Sequence, residues 1–249
     1  AGYMSIVPKL AMMVVAMRIL GLYVDMGVEA VRWMIIVLAV VTMTLSNMMA
    51  LVQEDVKRML AYSSISHAGF VMAALALDTT KAYTSIFLYY GLFLFTNLGA
   101  FTMLWISRRK HPSHHDRYHH PYVKFSGLIH TAPMGAVIMA IFMLSLTGVP
   151  PFSLFWGKLY VISATVDAGY IWLAVVMGLN SAIAAYYYLK LIVYMFLKPP
   201  VQGVELIGAN KSKPLVVIVG IAALFTTLSV FIIQPLLSYL TYMVSVSGY

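Results

Sequence analysis

The stretch from Leu144 to Val161, LSLTGVPPFSLFWGKLYV, constrains this chain more than any other part of it. It is apolar at both ends, broken by Pro150-Pro151, and carries a single charge, Lys158. From Pro133 to Thr165 there are 33 residues without a carboxylate. A membrane span needs about 20 residues, so the segment is too long for one straight helix. Two consecutive prolines remove two backbone donors and crowd the preceding turn. Gly148 and Gly157 loosen the backbone on either side. The expected outcome is two half-helices meeting inside the bilayer, with their freed carbonyls turned to protein or water because lipid cannot satisfy them. Broken helices of this kind are where transporters place ion sites. A lysine at mid-span costs on the order of 3 kcal/mol, which makes Lys158 a candidate proton carrier. The alternative is a lysine that snorkels to the headgroups.

Composition supports a membrane setting. Hydrophobic residues make up 62% of the 249, charged residues only 10%, and the mean hydropathy is +0.89. Several apolar runs exceed the length that a spanning helix requires, and no strand-type alternation is present. With no cysteine in the chain, a disulfide, a thiolate metal site and a cysteine nucleophile are all excluded. The net charge of +8 comes from loops between apolar runs, which fits a lipid-bilayer protein rather than a nucleic-acid partner.

We read an all-α integral membrane protein with seven spans, near 3–22, 32–51, 59–77, 83–106, 133–165 (broken at Pro150/Pro151), 169–197 and 213–245. All of them form a single transmembrane domain over 1–249. The loops at 52–58, 107–132 and 198–213 hold ten lysines and arginines on one face, against Arg32 and Lys81 on the other. The positive-inside rule makes the first face cytoplasmic, with the N-terminal end of the chain on that side and the C-terminus outside. The 107–132 loop is basic and His-rich. The chain starts at Ala1 rather than Met and enters an apolar segment at once, so an earlier part of the protein is expected. All eight carboxylates sit in loops or at span ends. A carboxylate partner for Lys158 is therefore expected from another part of the protein or another subunit.

Other residues carry two readings. Lys9 is either a second buried protonatable group or an interfacial lysine. Ser63, Ser64, Ser66 and His67 place four polar side chains in an apolar helix. The serines suit close helix packing, and His67 suits either proton relay or packing against a hydroxyl. His111, His114, His115, His119 and His120 cluster in the basic loop, which also carries Pro112 and Pro121. They read as a solvated run rather than a metal site. Lys190, in Tyr186-Tyr187-Tyr188-Leu189-Lys190, reads as a snorkelling lysine. Asn97, Asn180 and Ser181 read as interhelical hydrogen-bonding groups.

Three motifs, taken in order, resemble a known family. They are Val56-Lys57-Arg58-Met59-Leu60-Ala61-Tyr62-Ser63-Ser64-Ile65-Ser66-His67-Ala68-Gly69, then Gly148-Val149-Pro150-Pro151 with Phe155-Trp156-Gly157-Lys158, then Tyr186-Tyr187-Tyr188-Leu189-Lys190. They are similar to the N-type antiporter-like subunits of bacterial proton-pumping NADH–quinone oxidoreductase (respiratory complex I), a family shared with multisubunit sodium/proton antiporters. The resemblance implies the C-terminal half of a fourteen-helix protein, with spans two to six forming one five-helix antiporter-type repeat. It further implies that Lys158 lies on the exit half of a proton path, that Lys9 is the central lysine linking the two halves, and that His67 is the histidine of the polar axis. The glutamate and lysine of the family's first half have no counterpart in this chain. The resemblance implies no cofactor in the chain itself. NAD, FMN, iron–sulfur clusters and quinone would belong to partner subunits, alongside antiporter-like and small membrane subunits. A subunit of a multisubunit sodium/proton antiporter is the alternative.

Overall fold

The computed structural model describes residues 7–26, 29–106, 120–200 and 213–248. Helix α1 covers Val7–Asp25, α2 Glu29–Leu51, α3 Val56–Leu75 and α4 Thr80–Ile106. A 3-10 turn at Tyr122–Phe125 and the single-turn α5, Leu128–Thr131, lead into α6, Pro133–Thr147, and α7, Ser153–Asp167. The chain continues through α8, Ile171–Leu197, and α9, Lys213–Val246. Each expected span coincides with a helix, and the one expected to be broken is two. Helices α2, α4, α8 and α9 are each long and apolar enough to cross a membrane alone. At 15 residues each, α6 and α7 are about 22 Å long, short of the ~30 Å hydrocarbon core.

Helix α4 is the centre of the bundle, packing against α3, α6, α7 and α9. Its buried positions run almost its whole length, from Ala82 to Leu104. Large aromatic side chains such as Tyr89 and Phe93 fill the space around it. Helix α2 packs along α3, and α8 closes the other side against α2, α6 and α7. The outward faces of α2 and α9 present Trp33, Val37, Val41, Leu224, Leu228 and Phe231, the side-chain types that lipid solvates.

The loop after α4 departs from the sequence expectation. Residues 107–119 lie outside the described residues, and with them His111, His114, His115 and His119. From His120 onward the segment is built into the fold. Val56 N donates to His120 O at 2.8 Å, Tyr122 N to Glu54 O at 3.2 Å, and Gly127 N to Tyr194 O at 3.1 Å. The Asp55 side chain caps α3 by accepting from Arg58 N at 3.0 Å and also accepts from His120 N. Tyr122 and Phe125 bury their rings, and that aromatic area anchors a segment with no periodic apolar pattern of its own.

At the opposite end of the bundle, Lys81 on α4 pairs with Asp167 on α7 and donates to Ser163 Oγ at 2.7 Å. Trp33 stacks on Trp172 at 6.3 Å there, an interfacial pair of the kind that membrane proteins place at headgroup level.

Candidate functional site

Lys158 is buried at the break, 6% exposed. A helix leaves its last four carbonyls without helical partners. In α6 these belong to Leu144, Ser145, Leu146 and Thr147. Gly148, at φ 90°, takes the left-handed turn that lets the chain fold back. Its N–H donates to Leu144 O at 3.1 Å and Ser145 O at 2.9 Å, and Val149 N joins Leu144 O at 3.1 Å. Lys158 Nζ takes the remaining two, donating to Leu146 O at 3.0 Å and Thr147 O at 2.8 Å. The lysine of α7 is thus the terminal cap of α6, and its positive charge lies where the α6 dipole is negative. Within this chain, the α6 carbonyls give Nζ two hydrogen-bond acceptors. Snorkelling is excluded for this conformation, because Nζ points into the break.

Gly157 has a different role from the one expected of it. It lies within α7 and does not loosen it. A Cβ at this position would stand 3.1 Å from Tyr89 Cδ2 and 3.4 Å from Tyr89 Cα, so its absence lets α7 press against α4 beside Lys158. Pro150 and Pro151 occupy the turn between the half-helices, as expected.

His67 sits in a second polar group, 5% exposed. Its Nδ1 lies 2.5 Å from Tyr89 OH and its Nε2 3.1 Å from Tyr188 OH. Tyr188 OH is also bonded to Ser63 Oγ. The chain Ser63–Tyr188–His67–Tyr89 therefore crosses from α3 to α8, back to α3 and on to α4. An imidazole held between two phenols can take a proton on one nitrogen and release one from the other. Ser64 and Ser66 are buried on the same helix, and Ser64 Oγ donates to Ala61 O at 2.8 Å. Lys9 is half-buried and donates to Ser64 O at 2.8 Å.

No hydrogen bond joins His67 to Lys158 among the described residues. Phe70 and Tyr89 connect them instead. Lys158 Nζ is 5.9 Å from the Phe70 ring centre, Phe70 stacks on Tyr89 at 6.4 Å, and Tyr89 lies against His67 at 5.9 Å.

Sequence reasoning did not single out Asn47, Tyr89 or Tyr122. Asn47 is fully buried on α2, donates to Asn180 Oδ1 at 2.9 Å and accepts from Tyr187 OH at 2.9 Å. Asn180 bridges helices as expected, whereas the buried Ser181 Oγ has no partner among the described residues. Tyr122 is 3% exposed, and burial pushes its phenol above the ordinary range. Lys190 lies over its ring at 4.7 Å and remains half-buried near the basic-loop end, as a snorkelling lysine does. Among the described residues, no group of three histidines, aspartates or glutamates is placed to hold a metal.

Comparison with known proteins bears on this site. Residues 3–184 match the family described as NADH:quinone oxidoreductase/Mrp antiporter, transmembrane, a range that includes Lys9, His67 and Lys158. The chain is 68% identical over 249 residues to NADH-quinone oxidoreductase subunit N of Sulfurovum sp. (strain NBC37-1), covering all of this chain and 50% of that protein. It spans about half the length of the curated relatives it matches. Among solved structures, a chain of the Thermus thermophilus respiratory complex I with bound aureothin superposes with a TM-score of 0.69 at 27% identity, over 82% of this chain and 44% of that one. A chain of the Mrp complex from Dietzia sp. DQ12-45-1b superposes with a TM-score of 0.75 at 21% identity, a likeness of fold, over 86% of this chain and 47% of that one. The matched family, covering most of the chain, shows that this protein belongs to the NADH:quinone oxidoreductase/Mrp antiporter transmembrane family.

Proposed function

We propose that the chain is part of a subunit N that moves protons across the bacterial inner membrane for an NADH–quinone oxidoreductase. The redox chemistry would lie in partner subunits, which hold the NAD, FMN, iron–sulfur clusters and quinone. The observation that carries this reading is Lys158 capping α6, a protonatable group bound to the carbonyl end of a broken membrane helix. The 68% identity to a subunit N supports it. In the mechanism, Lys9 feeds protons toward the Ser63–Tyr188–His67–Tyr89 chain. Lys158 then swings from the α6 carbonyls toward Tyr89 to bridge the aromatic gap and afterwards returns. The fold proposed with this function has seven spans in one transmembrane domain, with α2, α3, α4, α6–α7 and α8 as the five-helix repeat. The 107–132 loop would face the cytoplasm and the C-terminus the outside. Antiporter-like and small membrane subunits would be its neighbours.

The test begins with mild solubilisation and a native gel stained for NADH dehydrogenase activity. The chain is expected in the large active band, and Lys158→Ala is expected to lower proton pumping while leaving NADH oxidation by an artificial acceptor intact. A chain that migrates in a smaller complex without that activity would favour the multisubunit sodium/proton antiporter, and sodium-dependent proton exchange is then the assay. Undiminished pumping by Lys158→Ala would remove Lys158 from the path.

A further inference from the structure

Four hydroxyls from four helices meet beside the break. Thr96 on α4, Ser145 on α6, Ser153 on α7 and Thr226 on α9 are all fully buried. Thr96 Oγ1 lies 3.3 Å from Ser145 Oγ, 3.1 Å from Ser153 Oγ and 3.4 Å from Thr226 Oγ1, and the two serine oxygens are 3.0 Å apart. A buried hydroxyl without a partner is costly, and this group satisfies its members largely from within. The knot also reaches the backbone at two points. Thr96 Oγ1 donates to Leu92 O at 3.2 Å, and Leu154 N, one of the free donors at the start of α7, donates to Ser145 Oγ at 3.3 Å.

That last bond bears on Lys158. Leu154 and Lys158 are four residues apart and share one face of α7. Ser145 directly precedes Leu146 and Thr147, the two carbonyls that Lys158 caps. Helix α7 is therefore fastened to α6 at two levels, one turn apart: by Ser153 Oγ and Leu154 N on Ser145 Oγ, and by Lys158 Nζ on the carbonyls. The second fastening can change charge. The first cannot, because the knot holds no ionisable group and grips α7 equally whether the Lys158 nitrogen carries three protons or two. Thr226 brings α9 into the arrangement, and Phe225 beside it packs on Phe95 of α4 at 4.0 Å.

We propose that the Thr96–Ser145–Ser153–Thr226 knot is the fixed pivot that sets where Lys158 lands on α6, and that Thr226 is a positioning residue for Lys158 supplied by α9. This inference rests on the reading of Lys158 as a proton carrier. With the Thr226 hydroxyl removed, Thr96 loses its bond to α9 while its bonds to Ser145, Ser153 and Leu92 O remain. With the knot no longer tied to α9, the capped position of Lys158 loses roughly fivefold in occupancy against displaced ones.

The experiment uses membranes containing the full subunit in its complex and measures protons pumped per NADH oxidised. Thr226→Val keeps the side-chain volume and removes the hydroxyl. It is expected to lower pumping toward the Lys158→Ala level while NADH oxidation by an artificial acceptor is unchanged. Thr226→Ser, which restores the hydroxyl on a smaller side chain, is expected to recover pumping. If Lys158→Ala is defective and Thr226→Val pumps normally, the pivot falls and the lysine reading survives. Equal defects in Thr226→Ser and Thr226→Val assign the effect to volume and also overturn it. Should Thr226→Val fail to assemble, Ser153→Ala puts the same question from α7, and normal pumping there overturns the proposal. If Lys158→Ala itself pumps normally, the functional reading and the pivot fall together.

Discussion

The burial of Lys158 at a helix break was legible because its chemistry is local: a charge, a double proline and a long apolar run are all read from the letters. What holds it was not legible. Its acceptors in this chain are the backbone carbonyls of Leu146 and Thr147, and a carbonyl, unlike a carboxylate, leaves no mark in a sequence. His67 divides in the same way. Its place in a polar stripe was visible, and Tyr188 belongs to a tyrosine run that stood out, but Tyr89 lies in an aromatic stretch of α4 with nothing to distinguish it. Tyr188→Phe isolates the relay hydroxyl. It keeps the ring and strips a partner from both His67 Nε2 and Ser63 Oγ. The expected result is a loss of about 1–3 kcal/mol in stability, together with a fall in pumping, measured by thermal unfolding of the solubilised complex and by proton uptake in vesicles.

Among the helices, periodicity and length placed every long element to within a few residues. The double proline divided the broken span correctly, since proline denies both a hydrogen bond and a backbone shape. The segment Tyr122–Thr131 was missed because its order comes from distant contacts, with Glu54, Asp55 and Tyr194, rather than from a repeating pattern. At the break, Gly148 carries most of the conformational demand. A Cβ there would stand 2.9 Å from Lys158 Cδ and 3.3 Å from Nζ, on a residue already at φ 90°. Gly148→Ala is expected to destabilise the subunit by at least 1–2 kcal/mol from the left-handed backbone alone. It should also push Lys158 off the α6 carbonyls, so that the lysine reacts faster with a membrane-permeant amine reagent. Unchanged labelling would show that the cap tolerates the methyl group.

For the whole molecule, the hydrogen bonds that Asn47 makes between helices are interior, while the Lys81–Asp167 ion pair is peripheral. Asn47 joins α2 to α8 through Asn180 and Tyr187. Asn47→Leu takes a buried partner from both Asn180 Oδ1 and Tyr187 OH, at a cost on the order of 2–4 kcal/mol. Lys81 and Asp167 are 45% and 58% exposed, and such pairs contribute about 0–1 kcal/mol. Asp167→Asn is therefore expected to leave the melting temperature nearly unchanged where Asn47→Leu lowers it by several degrees, a contrast that thermal shift in detergent reads directly. The sequence pattern displayed the long apolar helices, because those depend on composition and length. It left Asn47 unremarked, because one asparagine in an apolar helix acquires its meaning only from the helix opposite.

The capped break has a consequence for biogenesis. A translocating ribosome would release α6 with two naked carbonyls at its end, and then α7 with a bare ammonium. Each alone is unwelcome in lipid, and each half is too short to be retained as a span. Joined through Lys158, they become one insertable hairpin whose two faults cancel. The order of synthesis delivers the carbonyls first and the lysine eleven to twelve residues later, so the partition of this segment into the bilayer would be decided only once Lys158 has emerged.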